Sequence, residues 1–313
     1  LYTPLTESAS WPPREGHSML ALGPEYNYSM LIVGGRTATL GGRNEYLKDI
    51  WVSFDGIEWK EIVPNQSFPA RCWFGLTRFS NKLIISGGIS YEPNPRLNDV
   101  WQSTDGGINW YEVLPAADWD GRYGFAMLLY MKPTRRLSPT LISETARTPT
   151  LYVFAGSSCQ TGCVLYDNAL AGCETLSGAA PQYCCTLNAT CAERPNQNDV
   201  WASSDFGLTW TEVANSSQWS KRVFPQLAET VDGSLMLISG YDSWDRYYSD
   251  MWVSSDNGVG WENLTINGSQ TFLRRAQGQL VQFKTCMILV GGNSRQNAAD
   301  FENYDDAWSP GVL

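Results

Sequence analysis

Histidine is almost missing from this chain, with His17 the single copy in 313 residues. That scarcity excludes function classes at once. A copper site needs several imidazoles, and Ser-His-Asp or Cys-His nucleophilic catalysis needs at least one in the right place. His17 falls at a strand position where the next two repeats carry Phe74 and Phe125, so it is expected to belong to the framework. Charge is also sparse, at 17%, and basic charge is the rarer sign: 22 Lys and Arg against 32 Asp and Glu, net −10. Such a chain is repelled by phosphate backbones and anionic membranes, so nucleic acid is a poor partner. No apolar run reaches the ~20 residues of a membrane helix, and no membrane insertion is expected. The sequence begins at Leu1 without an initiator Met, a charged start or an apolar h-region, and a processed mature chain is the expectation.

Hydrophobic residues at 43% and aromatics at 13% are ample for a core. There are eight cysteines, and six of them (Cys159, Cys163, Cys173, Cys184, Cys185 and Cys191) crowd one short stretch. Asn-x-Ser/Thr sequons stand at Asn27, Asn65, Asn188, Asn215, Asn263 and Asn267. Sequons beside a dense cysteine cluster point to an oxidising, glycosylating secretory route, hence a secreted or cell-surface glycoprotein. The six clustered cysteines are expected to form three disulfides, with their pairing open. Cys72 and Cys286 are either a distant pair or two buried thiols. No metal or cofactor is expected.

Internal periodicity supplies the fold. Asp49-Ile-Trp-Val-Ser, Asp99-Val-Trp-Gln-Ser, Asp199-Val-Trp-Ala-Ser and Asp250-Met-Trp-Val-Ser nearly superimpose, with a weaker copy at Asp306-Ala-Trp308-Ser. Ahead of each lies an apolar run ending in small residues, at Gly34-Gly35, Gly87-Gly88, Ala155-Gly156, Ser239-Gly240 and Gly291-Gly292. Further upstream an aromatic precedes an arginine by three: Trp11 and Arg14, Phe68 and Arg71, Trp119 and Arg122, Trp219 and Arg222, Phe272 and Arg275. Three independent markers agree on five units. Each unit reads as four short strands, with β-branched and aromatic residues between turn signals and no helical period.

The glycine doublet followed by Asp-Val-Trp resembles the kelch repeat. The turn Ser103-x-Asp105-x-Gly107-x-x-Trp110, repeated at Ser203 to Trp210 and Ser254 to Trp261 and one residue shorter at Ser53 to Trp59, resembles the Asp-box of sialidase-type propellers. The resemblance covers the chain outside two insertions. It implies an all-β, five-bladed β-propeller, residues 1–313 as one domain, with a disulfide-rich insertion at 158–198 in the third blade. A further insertion, roughly 130–150, precedes it. The last unit lacks a fourth strand and Tyr2 to Leu5 sit at the matching spacing, so the N-terminal strand is expected to close the ring. In the Asp-box the carboxylates Asp55, Asp105, Asp205 and Asp256 are expected to hold turns rather than perform chemistry.

Two readings of the repeated arginines stand side by side. Arg14, Arg71, Arg122, Arg222 and Arg275 either ring a channel mouth and bind a carboxylate or sulfate, or each supports its own blade. The connections between second and third strands carry Tyr46, Tyr91, Trp244, Tyr247, Tyr248 and Tyr304, side chains suited to sugar rings and to protein contacts. The functional expectation is a non-enzymatic extracellular recognition or assembly module for a glycan or a protein, one version being a building unit of a matrix, coat or filament. The alternative is a carbohydrate-active enzyme using paired carboxylates, with Asp242, Asp245 and Glu302 the candidates.

Overall fold

The computed structural model describes residues 9–24, 26–38, 44–64, 67–90, 96–133, 147–158, 163–165, 183–185, 196–242, 246–265, 274–283, 286–295, 301–304 and 306–308. Among them every regular element is a β-strand, and there is no helix long and apolar enough to cross a membrane. The chain divides into two compact units, residues 1–123 with 159–193 and residues 124–158 with 194–313.

The first unit contains two four-stranded antiparallel meanders. One is Ser18–Ala21, Met30–Ala38, Asn44–Ser53 and Lys60–Ile62. The other is Gly75–Phe79, Lys82–Ile89, Arg96–Ser103 and Tyr111–Leu114. Their second strands are buried throughout their apolar runs: Leu31, Ile32 and Val33, then Leu83, Ile84 and Ile85. A strand covered on both faces needs no polar alternation, which is why these segments read as unbroken apolar runs. Leu31, Val33, Ile50, Val52, Phe68, Leu83, Ile85 and Trp110 share one core. A separate hairpin pairs Cys163–Leu165 with Tyr183–Cys185, which sets Cys163 opposite Cys185.

The second unit repeats the plan. One meander is Ala126–Pro133, Arg147–Phe154, Val200–Ser203 and Thr211–Ala214; the next is Gln226–Glu229, Leu235–Ile238, Met251–Ser254 and Glu262–Asn263. Gln279–Phe283, Cys286–Val290 and Ala307–Trp308 form a three-stranded sheet. A fourth strand is absent there among the described residues, and residues 2–5, assigned from the sequence to that place, lie outside them. The insertion expected at 130–150 starts later than the repeat spacing implied. Tyr130 to Pro133 pair with Arg147 to Thr150, so part of it is extended strand.

The glycine doublets put two consecutive residues in the left-handed region in all five repeats. The first is Gly34, Gly87, Ala155, Ser239 or Gly291, and the second is always glycine, at φ 95 to 99°. In the first two repeats this doublet shifts the register between second and third strands, a bulge that turns the chain out of the sheet. A third left-handed position follows each arginine by two: Gly16, Trp73, Gly124, Phe224 and Gln277. Gly16 and Gly124 are glycine for a second reason. A Cβ on Gly16 would lie 2.9 Å from the Trp73 ring, and one on Gly124 would lie 2.9 Å from the Phe224 ring.

Candidate functional site

Three of the repeated arginines, Arg71, Arg222 and Arg275, tie their own repeat to the preceding one through the backbone. The backbone of Arg71 donates to Leu47 O and accepts from Gly35 N, that of Arg222 pairs likewise with Gln197 and Gly156, and that of Arg275 with Tyr248 and Gly240. The next residue then returns to its own repeat through a two-bond bridge, at Glu15–Arg36, Cys72–Ile89, Val223–Tyr241 and Ala276–Asn293.

The side chains complete the joint. Arg71 forks onto Asp99, with Nη1 to Oδ1 at 2.8 Å and Nη2 to Oδ2 at 2.6 Å, and Nη1 also donates to Gly87 O at 2.8 Å. The same fork joins Arg14 to Asp49 and Gly34, Arg222 to Asp250 and Ser239, and Arg275 to Asp306 and Gly291. The indole two residues beyond each aspartate is a further donor. Trp51, Trp101, Trp201 and Trp252 each give Nε1–H to the aspartate Oδ2 at 2.7 to 2.8 Å. Residues two apart on a strand share a face, so Asp-x-Trp is the spacing this bond requires. Behind the guanidinium lie aromatic rings: Trp11, Phe68, Trp119 and Trp219, 5.6 to 5.9 Å from the arginine three residues on. Trp51, Trp101, Trp201 and Trp252 therefore orient the carboxylates.

This geometry favours the second reading of the arginines, in which each supports its own repeat. The side chains of Arg14, Arg71, Arg222 and Arg275 are fully buried, and Arg122 is 1% exposed. A guanidinium clamped by a carboxylate, a carbonyl and a ring face has no open side for an incoming anion. Arg14, Arg71, Arg222 and Arg275 are each held by an aspartate of their own repeat, and Arg122 is buried against Trp119.

The Ser-x-Asp turns are likewise occupied. Ser53, Ser103, Ser203 and Ser254 donate Oγ–H to Asp55, Asp105, Asp205 and Asp256 and accept a backbone N–H from Gly56, Gly107, Gly207 and Gly258. The turn ends where Trp59, Trp110, Trp210 and Trp261 donate Nε1–H to the turn glycine's carbonyl. Hydrogen bonds from Ile57 and Glu58 N–H hold the Asp55 carboxyl below its ordinary value. For Asp105 and Asp205 burial alone would raise it, and donors from Asn109 and Ser103, or Thr209 and Ser203, outweigh that.

A folded-state value below the ordinary 3.8 means that the turns' contribution is complete above 3.8 and lost as pH falls through the lowered values. Urea midpoints measured stepwise from about pH 5 to about pH 2 are therefore expected to fall only below the ordinary aspartate range. Asp105→Asn should be less stable than wild type at pH 5 and should converge on it in acid.

What the repeats do not share is aromatic. Tyr241 stacks on Tyr247 with centroids 5.0 Å apart, and Phe224, on its left-handed backbone, lies 6.0 Å from Tyr241. Beside this stack the Tyr248 hydroxyl donates to Asp242 Oδ2 at 3.1 Å, Arg246 N–H donates to Asp242 Oδ1, and the Arg222 guanidinium lies over the Tyr248 ring at 4.2 Å. Burial pushes the Tyr248 phenol up, against a lowering bond from Ser220, and Asp242 raises it further. It stays a protonated donor. Tyr304 bonds Ser294 and sits under Arg275. In the first unit Trp73, also left-handed, lies 5.6 Å from Tyr123 and under Arg36.

Tyr91, Trp244 and Asp245 lie outside the described residues, as do Cys159, Cys173, Cys191, Asn65, Asn188 and Asn267. The side chains of Glu302, Cys163, Cys184, Cys185 and Cys286 lie outside them as well. Asn27, Asn215, Asn263 and His17 are exposed. Cys72 is a buried free thiol, and burial pushes it far up, so it stays protonated and inert at neutral pH. The repeat pattern gave no sign of the left-handed aromatics Trp73 and Phe224. Their only signal is that a bulky residue stands where two of the five repeats carry glycine.

No family model and no curated protein matches the chain. Among solved structures it is similar to the one described as "Structure of YjhT", with TM-score 0.60 and 11% identity over 94% of this chain and 80% of that one. At that identity the likeness concerns the fold alone, and with several four-stranded antiparallel sheets and no helix among the described residues it is consistent with a propeller-like architecture.

Proposed function

We propose that the chain is a non-enzymatic, secreted recognition or assembly module on a five-bladed, kelch-like β-propeller with Asp-box turns, closed by its N-terminal strand. Its partner is an extracellular glycan or protein, a second copy of the chain included. The observation that carries this reading is the division of labour among side chains. The ionisable groups that recur are consumed by the framework, as Arg71 with Asp99 and Asp105 with its turn illustrate. The residues that differ between repeats are aromatic and pre-positioned, as in Phe224, Tyr241 and Tyr247. Rigid rings flanked by donors suit binding, because little side-chain entropy remains to be lost. The left-handed backbone of Phe224 and Trp73 supports the same reading, since bulky residues persist there only where the surroundings hold them.

The test uses the glycosylated full chain on a glycan array, with light scattering for self-association and a panel of glycosides for turnover. Binding or assembly without turnover is the expected result; measurable hydrolysis refutes the reading in favour of a carbohydrate-active enzyme. Removing residues 159–191 should weaken self-association at least several-fold while the circular dichroism of the sheets persists. Unchanged association after that deletion would sink the building-unit version and leave recognition to the aromatic surfaces.

A further inference from the structure

One departure from the repeat plan lies far in sequence from the aromatic stack and belongs to the first unit alone. Between its first and second strands, Ser18–Ala21 and Met30–Ala38, the first repeat has residues 22–29. The second repeat makes the same connection with only Ser80 and Asn81. The longer loop is closed by Leu22 N–H to Ser29 O at 2.8 Å and Tyr26 N–H to Gly23 O at 3.1 Å. It carries Tyr26-Asn27-Tyr28 at its tip, and both rings are pinned from behind. Tyr26 donates its hydroxyl to Ser80 O at 2.8 Å, and Tyr28 packs 5.3 Å from Phe54. Both also pack against the unit's core while staying half-buried.

Together with Asn27, Asn81 and the turn residues Thr104, Asp105, Gly106 and Ile108, these tyrosines line a concavity of about 310 Å³. Gly106 contributes by what it lacks. Its φ is +76°, and a Cβ there would stand 3.5 Å from Tyr26 Cδ1, narrowing the cleft. The lining is specific in kind: two tyrosines, two carboxamides, one hydroxyl, one carboxylate and the 42% exposed Ile108. No cation is among them, so the cleft does not suit an anion.

We propose that this cleft is a saccharide-binding site for a neutral pyranose bearing an acetamido group. The carboxamides of Asn27 and Asn81 both donate and accept, matching an acetamide and ring hydroxyls. The tyrosines offer ring faces and edges to the sugar's C–H surface, and Ile108 gives the acetyl methyl an apolar contact. The volume is at the lower end of ordinary ligand pockets, the size of a short saccharide. Such a sugar has two sources. Asn27 is itself the acceptor of an Asn-x-Ser sequon with Ser29, so the first N-acetylhexosamine of a glycan on Asn27 would begin at the cleft wall. The other source is a glycan on another molecule. The choice of a sugar rests on the recognition reading above, but the cleft shares no residue with the aromatic stack.

The experiment is saturation-transfer NMR with N,N′-diacetylchitobiose on the full chain in three forms: glycosylated, deglycosylated at Asn27 by Ser29→Ala (which keeps the Asn27 carboxamide), and that deglycosylated form with Thr104→Trp. Thr104 is exposed, so the substitution fills the cleft without entering the core. The deglycosylated chain should show transfer to the acetyl and ring protons, and Thr104→Trp should reduce it at least five-fold. If the glycosylated chain shows transfer as strong as the deglycosylated one, the ligand comes from outside; if transfer appears only after deglycosylation, the glycan of Asn27 is the occupant. No transfer in the deglycosylated chain overturns the proposal, and so does transfer that Thr104→Trp leaves intact. In the latter case sugar recognition survives at another surface, so failure of the cleft and failure of the recognition reading are told apart.

Discussion

Arg71→Ala is expected to cost about 3–5 kcal/mol of folding stability, the loss that follows when one partner of a buried ion pair is removed. The reason lies with Asp99. Its side chain is 7% exposed, and without the guanidinium it keeps one indole N–H from Trp101 and a charge with no counterion. Arg71→Lys should lose most of the same amount, because an ammonium cannot fork onto both carboxylate oxygens while also reaching Gly87 O and Pro69 O. Replacing both partners, with Arg71→Met and Asp99→Leu, should recover part of the loss. Recovery stays incomplete because Gly87 O and the Trp101 N–H are then left without their partners, at ~1–3 kcal/mol for a group that stays dry. Exposure grades the effect across repeats. The partner aspartates are 7% exposed for Arg71, 17% for Arg14, 19% for Arg222 and 31% for Arg275, so the losses should fall in that order. Urea midpoints of the four alanine variants check it, and equal midpoints for Arg71→Ala and wild type would refute the role of the pair.

The periodic part of this arrangement was legible in the sequence, because a residue demanded by every repeat leaves a mark in every repeat. Aromatic-x-x-Arg, the small doublet and Asp-x-Trp are three contact partners of one joint, and each was visible. Their mutual contact was less so. Arg71 and Asp99 are 28 positions apart, as are Arg222 and Asp250, whereas Arg14 and Asp49 are 35 apart and Arg275 and Asp306 are 31. The connection between them varies in length, so the chain does not announce which aspartate closes on which arginine. With the partner unassigned, a ring of arginines in an acidic protein reads as naturally as an anion site as it does as a set of buried forks. Burial of the guanidinium groups favours the forks.

Non-periodic features were less legible still. Tyr26 and Tyr28 carry no repeat signal, and Ser80 and Thr104 to Ile108, which complete the cleft, come from another repeat. The left-handed backbone at Ala155 and Ser239 was likewise hidden by side chains that ordinarily avoid it. Those two residues show that the first position of the doublet accepts a Cβ. The second never does, and the reason for that difference sets the next expected result.

Gly240→Ala should destabilise the protein by about 2–4 kcal/mol, from left-handed strain together with a backbone clash. At φ +95° an added Cβ would lie 2.8 Å from Val223 O and 3.2 Å from Pro225 N. Both neighbours are backbone, and neither can retreat freely. Val223 is bridged to Tyr241 through two hydrogen bonds, and Gly240 N–H is itself bonded to Arg275 O, so withdrawal would open the joint to the next repeat. The equivalent glycines face the same obstacle: Gly35 meets Glu15 O at 2.8 Å, Gly88 meets Cys72 O at 2.9 Å and Gly292 meets Ala276 O at 2.7 Å. Each obstructing carbonyl belongs to the residue after a repeated arginine, so the glycine and the arginine are two halves of one close approach. The control is the neighbouring position. Ser239→Ala keeps the carbonyl that Arg222 uses and should change stability by less than ~1 kcal/mol. Thermal or urea unfolding of the two variants separates the explanations. Similar losses at 239 and 240 would mean that the doublet tolerates no side-chain change at all, whereas a large loss confined to 240 places the cost in the Cβ added there against the arginine strand.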